Sequence, residues 1–127
     1  MVSYYEFLRI ASQETRALPE YTSKGLSGGV LVDEGVYLHP KRLADDLYIL
    51  GVYEQDRYGK RIVLYYGSFM MVYGNMDAQQ LRIKVRDTIR HEFLHHLEYR
   101  AGITGKGSLI EVDRNRLEEY YRLHGSR

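Results

Sequence analysis

The residues best suited to chemistry stand together in one short segment, His91-Glu92-Phe93-Leu94-His95-His96. Histidines four residues apart lie one above the other on the same face of an α-helix, so His91 and His95 could bind a single metal ion. A glutamate directly after the first histidine can reach a water molecule on that ion and act as a general base. The pattern predicts metal-dependent hydrolysis with Glu92 as the catalytic residue.

The motif requires a helix, and the residues around it predict one from about Asp77 to Ala101. Asn75 or Asp77 can cap its beginning, and Gly102 can end it. Apolar residues at helical spacing form a broad arc that faces the core; they are Leu81, Val85, Ile89, Phe93 and Leu97. The two motif histidines fall on the opposite, polar arc, and the motif glutamate lies at the border. The helix should therefore bury one side and present both histidines to a cleft.

A catalytic zinc ion normally takes three protein ligands and one water molecule, and the third ligand is marked less clearly here. Asp113, near the start of the last predicted helix, can approach from a separate element and is slightly favoured. Glu98 is the alternative, because it follows His95 by three residues on the same helix. Glu111 and Glu118 are weaker candidates. The competing roles are a helix N-cap for Asp113 and, for Glu98, a hydrogen bond to an imidazole or a surface ion pair.

The other three histidines carry weaker signals. On a helix His96 points about 140° away from His91, which favours a buried, hydrogen-bonded role over metal binding. His39 precedes Pro40 in a predicted loop, and His124 lies near the C-terminus. Either side chain could donate a hydrogen bond to a developing oxyanion, although a plain surface role is the more frequent one for such residues.

Helices are also predicted at both ends of the chain. Ser3 begins a capping-box pattern, apolar residues at helical spacing follow it, and Pro19 lies just beyond the last turn. Residues 20–29 are rich in Ser, Gly and Thr and predict a loop. Near the C-terminus, a Gly-rich loop at residues 102–110 precedes a predicted helix from Glu111 to Leu123.

Three short strands are predicted at residues 30–32, 48–53 and 62–66, and turn residues between the last two predict a hairpin. Residues 69–72 fit either a short helix or an edge segment. The strand at 62–66 is expected at an edge of the sheet, where an extended peptide could add by backbone hydrogen bonds. These elements predict an α+β fold, in which a small mixed or antiparallel sheet packs on the N-terminal helix and the long motif helix.

Composition and charge narrow the class of protein. The chain has 127 residues, of which 44% are hydrophobic and 28% charged, typical of one globular domain. A net charge of +1 without a block of one sign disfavours nucleic-acid binding. No apolar run long enough for a bilayer and no signal-peptide pattern is seen, which predicts a cytoplasmic protein without a membrane partner. Since cysteine is absent, a zinc site must use histidine and carboxylate ligands.

Beyond the motif, the sequence resembles the minimal zincin-like metallopeptidases, a family of small bacterial proteins. The resemblance covers most of the chain and is carried by residues 5–7, 17–19, 50–54, 61–67 and, most specifically, 85–96. It implies a single zincin-like domain over residues 1–127 and one zinc ion per chain on His91 and His95, with Glu92 as the base. The common family pattern places a glycine three residues after the second motif histidine and an acid three residues later. Those positions are Glu98 and Ala101 here, so the resemblance leaves the third ligand open.

Three functions remain as hypotheses. The leading one is a zinc metallopeptidase that hydrolyses peptide bonds in a peptide or protein substrate. The second is a metal-binding or interaction module without catalysis on a peptidase-like scaffold, and the third is a toxin–antitoxin or stress-linked partner protein with an incidental motif. Two histidines and a carboxylate also suit iron(II), so the donor types alone do not identify the metal.

Overall fold

A computed structural model describes residues 1–103, 105 and 107–125. In this part of the chain the elements follow in the order α1 (Tyr4–Arg16), β1 (Gly29–Asp33), β2 (Gly51–Asp56), β3 (Gly59–Tyr65), α2 (Tyr66–Tyr73), α3 (Ala78–Ala101) and α4 (Leu109–Gly125). A short 3-10 turn at Glu20–Ser23 lies between α1 and β1, within the predicted loop. The predicted α+β class is confirmed.

The three strands form one mixed sheet in the order β1-β3-β2, with β3 parallel to β1 and antiparallel to β2. The antiparallel pairing confirms the predicted hairpin. The prediction that residues 62–66 form an edge strand is wrong, because β3 is paired on both sides. Ile62 and Leu64 are fully buried on β3, which is typical of a central strand, and β2 occupies the edge instead.

α1 begins and packs as its sequence predicts. The Ser3 hydroxyl accepts a hydrogen bond from the Glu6 backbone N–H at 3.1 Å and so caps the helix. Phe7 and Ile10 are almost completely buried. Burial of two such side chains stabilises the docked helix by roughly 1.5–3 kcal/mol each.

An ion-pair cluster joins α1 to α3. The carboxylate of Glu14, only 8% exposed, accepts hydrogen bonds from Arg82 at 2.8 Å and Arg86 at 2.5 Å. The bond from Arg86 lowers the pKa of Glu14 most; burial acts in the opposite direction, and Arg82 adds to the lowering. The two helices are therefore joined by charge as well as by apolar contact.

α3 has the boundaries and the buried face that the sequence predicts. The Asp77 side chain accepts from the Gln80 N–H, and the Gln80 side chain accepts from the Asp77 N–H, which completes a capping box. Gly102 ends the helix with φ of 72°, a left-handed conformation that suits glycine. The residues of the predicted apolar arc that are buried are Leu81, Val85, Ile89 and Phe93.

The remaining elements complete the core. Residues 69–72, which fitted two interpretations, belong to α2, and Phe69 is fully buried against Phe7. α4 begins two residues earlier than predicted, and residues 104 and 106 of the predicted Gly-rich loop lie outside the described residues. Across the described ranges, no helix combines the length and the hydropathy that crossing a membrane requires.

Candidate metal centre

α3 and α4 bring the two motif histidines and one aspartate together. The Nε2 atoms of His91 and His95 lie 3.1 and 2.7 Å from carboxylate oxygens of Asp113. The ring centroids of the two histidines are 5.0 Å apart. Side-chain exposures of 24%, 18% and 41% for His91, His95 and Asp113 leave the group open to solvent on one side.

The three donor atoms fit a metal ion in type and spacing. They all lie within 4.8 Å of one another. Ligand atoms bound tetrahedrally to zinc at 2.0–2.2 Å are about 3.3–3.6 Å apart, so small side-chain movements would accommodate the ion. Two imidazole nitrogens and one carboxylate oxygen form a donor set that zinc accepts with a water in the fourth position.

The electrostatics of the group favour a charged aspartate. Burial raises the pKa of Asp113, but hydrogen bonds from His91 and His95 outweigh that effect and hold the pKa well below its usual range. The hydrogen bond to Asp113 also raises the pKa of His95, while burial acts against it. Asp113 is thus available as an anionic ligand at neutral pH.

The carboxylate of Glu98 is engaged elsewhere. Its Oε1 accepts a hydrogen bond of 2.8 Å from the Leu109 backbone N–H at the beginning of α4. Glu111, a weaker candidate, accepts from the Gly107 N–H at 2.6 Å. Glu118 lies on the exposed surface of α4. Glu98 therefore positions the helix that carries Asp113, whereas Asp113 itself contacts both imidazoles.

The other end of α4 is held by the loop at residues 41–46. The Tyr120 hydroxyl accepts from the Leu43 N–H at 2.9 Å and donates to Asp46 at 2.7 Å. The Tyr121 hydroxyl donates to the Lys41 carbonyl at 2.6 Å. We call this set of contacts the loop–α4 clamp. Since Asp113 lies between the Glu98 cap and the clamp, contacts on both sides of it control its position.

His124 belongs to the same clamp rather than to the metal centre. Its Nε2 lies 2.7 Å from an Asp46 carboxylate oxygen, and its Nδ1 lies 2.9 Å from the Tyr120 carbonyl oxygen. The hydrogen bonds from Tyr120 and His124 lower the pKa of Asp46. His124 is therefore not the plain surface residue that the sequence favoured, and it does not line the cleft described below.

Glu92 lies between the two histidines and the sheet. Its side chain is 7% exposed, and the backbone N–H of Tyr53 on β2 faces its carboxylate. Burial raises the pKa of Glu92 to about 7, although His91 and His95 act to lower it. The carboxyl group is thus close to the candidate ligands and has a proton affinity suited to exchange near neutral pH.

The outer edge of β2 presents peptide groups that are not bonded to β3, and the Tyr53 N–H among them faces Glu92. The Tyr65 N–H donates to the Leu50 carbonyl, and hydrogen-bonded pairs alternate along an antiparallel ladder. The peptide groups of Gly51 and Tyr53 therefore point away from β3. A Cβ atom at Gly51 would lie 2.9 Å from the Thr88 side chain, so glycine allows β2 to approach α3 closely.

His96 supports the site from the buried side of α3, as predicted. Its Nε2 lies 2.7 Å from the Lys24 carbonyl, which can only accept, so this nitrogen carries a proton. In the neutral ring Nδ1 then accepts from the Tyr53 hydroxyl at 2.8 Å. The sequence indicated no role for Tyr53, because nothing distinguishes it from the other tyrosines among the 13 in the chain.

A cleft of about 690 Å³ contains the candidate ligands. β2 and the segment before it form one wall, α3 the floor, and α4 the opposite wall. Its polar lining includes His39 and several residues not assigned to the site from sequence, among them Arg116 and Tyr120. Arg116 follows Asp113 by three residues, and residues at that spacing are neighbours on a helix surface. If Asp113 is taken as a ligand, this spacing predicts that Arg116 lies beside the site.

Comparisons with known proteins identify a similar solved structure. No protein-family model matches the chain, and no curated protein matches it. Among solved structures, a conserved hypothetical protein from Thermus thermophilus is similar, with 30% sequence identity and a TM-score of 0.68. The similarity covers 80% of this chain and 100% of that protein.

Proposed function

We propose that the protein is a zinc-dependent peptidase of zincin-like fold. The chain belongs to the same family as the conserved hypothetical protein of Thermus thermophilus, and the name of that protein states no activity. The proposal therefore rests on the site itself. One observation carries this proposal. His91, His95 and Asp113 are three potential metal ligands that lie together in an open cleft, with the buried Glu92 directly beside them. This set of residues is what metal-assisted hydrolysis requires.

The residues of the chain would divide the chemistry between them. His91, His95 and Asp113 would hold the ion; when bound, zinc supplies a Lewis acid that activates water and polarises a carbonyl group. Glu92 takes a proton from the attacking water and passes it to the leaving amine. The Tyr53 N–H, which faces the Glu92 carboxylate, would help to orient it for this transfer.

The edge of the sheet suits a peptide substrate. The N–H and C=O of Gly51 and the C=O of Tyr53 point away from β3, and both residues line the cleft. An extended peptide can add to such an edge through backbone hydrogen bonds. β2 takes the role that the sequence had suggested for residues 62–66, and a bound peptide would cross the cleft beside Glu92.

The test combines metal content with turnover. We expect wild-type protein to contain near-stoichiometric zinc by elemental analysis and His95→Ala to lose it. Glu92→Gln should keep the zinc and lower the cleavage rate of a quenched fluorescent peptide library by about 10²–10⁴-fold, because only the base is removed.

Each other outcome has a defined meaning. Turnover that survives in Glu92→Gln would show that Glu92 is not the base. Zinc in the wild type without any cleavage would favour a metal-binding module, and no zinc after metal is supplied would exclude the peptidase.

A further inference from the structure

We propose that His39 donates a hydrogen bond from Nε2–H to the carbonyl oxygen of the scissile peptide bond as that oxygen becomes negatively charged. This inference rests on the proposed peptidase function. His39 lines the same cleft as His91, His95 and Glu92, although it lies far from them in sequence. It would be a further catalytic residue, placed on the loop wall of the cleft and not on α3.

The local hydrogen bonds define which ring nitrogen carries the proton. The Lys41 backbone N–H donates to His39 Nδ1 at 3.0 Å, so Nδ1 is an acceptor and bears no hydrogen. The single proton of the neutral imidazole is therefore on Nε2. Burial lowers the pKa of His39, and the charge of Lys41 lowers it further, which keeps the ring neutral at physiological pH. A neutral ring with this tautomer offers a single hydrogen-bond donor at Nε2.

The backbone around His39 holds the ring in place. The His39 N–H donates to the Leu47 carbonyl at 2.8 Å, and the His39 carbonyl accepts from the Arg42 N–H at 3.1 Å. The adjacent residue Leu38 forms a β-bridge with Tyr48, immediately before β2. The loop–α4 clamp then connects the following residues to the helix that carries Asp113. A donor held in this way costs little reorganisation when charge develops nearby.

Other donors of the cleft are less suited to this task. The Tyr120 hydroxyl donates to Asp46, and the Tyr48 hydroxyl lies 3.4 Å from the Asp45 carbonyl. Arg116 has an exposed side chain on the surface of α4. In His39, by contrast, the tautomer places the proton on Nε2, and hydrogen bonds fix the backbone.

The bond changes balance without a further reactant. The water oxygen forms a bond to the carbonyl carbon, the π-electron pair moves to the carbonyl oxygen, and Glu92 accepts the water proton. His39 donates a hydrogen bond to the oxyanion but transfers no proton. When the electron pair returns, the C–N bond breaks and the leaving amine takes the proton from Glu92.

Two substitutions separate catalysis from a structural role in the turn. Asparagine can accept the same Lys41 N–H through its side-chain oxygen, so His39→Asn keeps the turn and removes the Nε2 donor. His39→Ala removes both. We expect kcat to fall by about 10²–10³-fold in both variants, with KM and zinc content unchanged. If only His39→Ala were impaired, His39 would be a turn residue and the inference would be wrong.

Binding of inorganic phosphate provides a readout that does not depend on turnover. Zinc-loaded wild type should bind this tetrahedral anion at least about tenfold more tightly than zinc-loaded His39→Asn, as measured by calorimetry. Equal binding, or no binding to the wild type, would overturn the role of His39 while leaving the zinc site intact. A wild-type protein that binds no zinc would overturn the proposed function and this inference together.

Discussion

Glu98 and Asp113 are the two main candidates that the sequence offers for the third ligand, and the structure gives them different partners. Asp113 accepts from both imidazoles, whereas Glu98 accepts from the first backbone N–H of α4. Sequence spacing allowed either residue to be the third ligand. The difference arises because the Glu98 carboxylate meets an unpaired helix N-terminus, where a carboxylate is favoured by the hydrogen bond and by the helix dipole.

This difference predicts unequal effects on zinc affinity. Asp113→Ala should weaken zinc binding by more than about 100-fold, because a ligand is lost. Glu98→Ala should weaken it by about 10-fold to 100-fold, because only a supporting contact is lost. Chelator competition measures both affinities, and Glu98→Gln, which keeps an acceptor oxygen, serves as the matched control. A Glu98→Ala protein with the larger defect would reverse the assignment.

At the scale of the elements, α4 is the part of the site that depends most on distant contacts. α3 carries its own caps and its own buried face, but α4 is positioned by Glu98 at its beginning and by the loop–α4 clamp towards its end. The clamp joins residues more than 70 positions apart along the chain. The position of Asp113, the candidate third ligand, therefore depends on these contacts.

Removal of the Tyr120 hydroxyl should expose this dependence. Tyr120→Phe keeps the ring and loses the hydrogen bonds to Leu43 and Asp46, at a cost of about 1 kcal/mol for each bond. We expect zinc affinity to fall by about tenfold, measured by chelator competition. Tyr58→Phe, at the tip of the β2–β3 hairpin, is the matched control and should bind zinc as the wild type does. Unchanged affinity in Tyr120→Phe would mean that α4 is positioned without the clamp.

At the scale of the whole molecule, the contact between α1 and α3 holds the motif helix against the rest of the chain. The apolar face of α3 packs into the core, and Glu14 on α1 binds Arg82 and Arg86 beside that face. Because Glu14 is nearly buried, its charge is stabilised only while both partners remain in place. The stability of the fold should therefore depend on pH through this carboxylate.

The direction of that dependence follows from the lowered pKa of Glu14. The carboxylate contribution is fully present above the ordinary value of 4.5 and is lost as the pH falls through the lower folded-state pKa. Glu14→Gln should lower the free energy of unfolding by about 1–3 kcal/mol at neutral pH and make it less sensitive to acid. Urea unfolding at several pH values tests this, with exposed Glu118→Gln as the control. An equal acid response in the Glu14 variant and the wild type would assign the pH dependence to other groups.

Local patterns were sufficient for much of the fold and for three of the four residues of the site. The caps of α3, its buried arc and the β2–β3 hairpin all depend on residues close together in sequence, so each could be predicted. The same is true of the relation between His91, Glu92 and His95, because one turn of helix places them. His96 could be assigned to the buried side for the same reason.

The strand order and the partners of α4 could be decided only by tertiary structure. The apolar residues of β3 are typical of a buried strand. The pairing of β3 with β1, however, joins residues about 30 positions apart, and no local pattern predicts it. Asp113 meets the histidines across 18 and 22 residues, through a helix whose direction is set by the Glu98 cap and the loop–α4 clamp. Such contacts gain free energy only after long loops have closed, so sequence spacing alone does not select among them. The sequence by itself determined a helix with two histidines and a glutamate, and the tertiary structure decided which acid, which strand edge and which loop surround them.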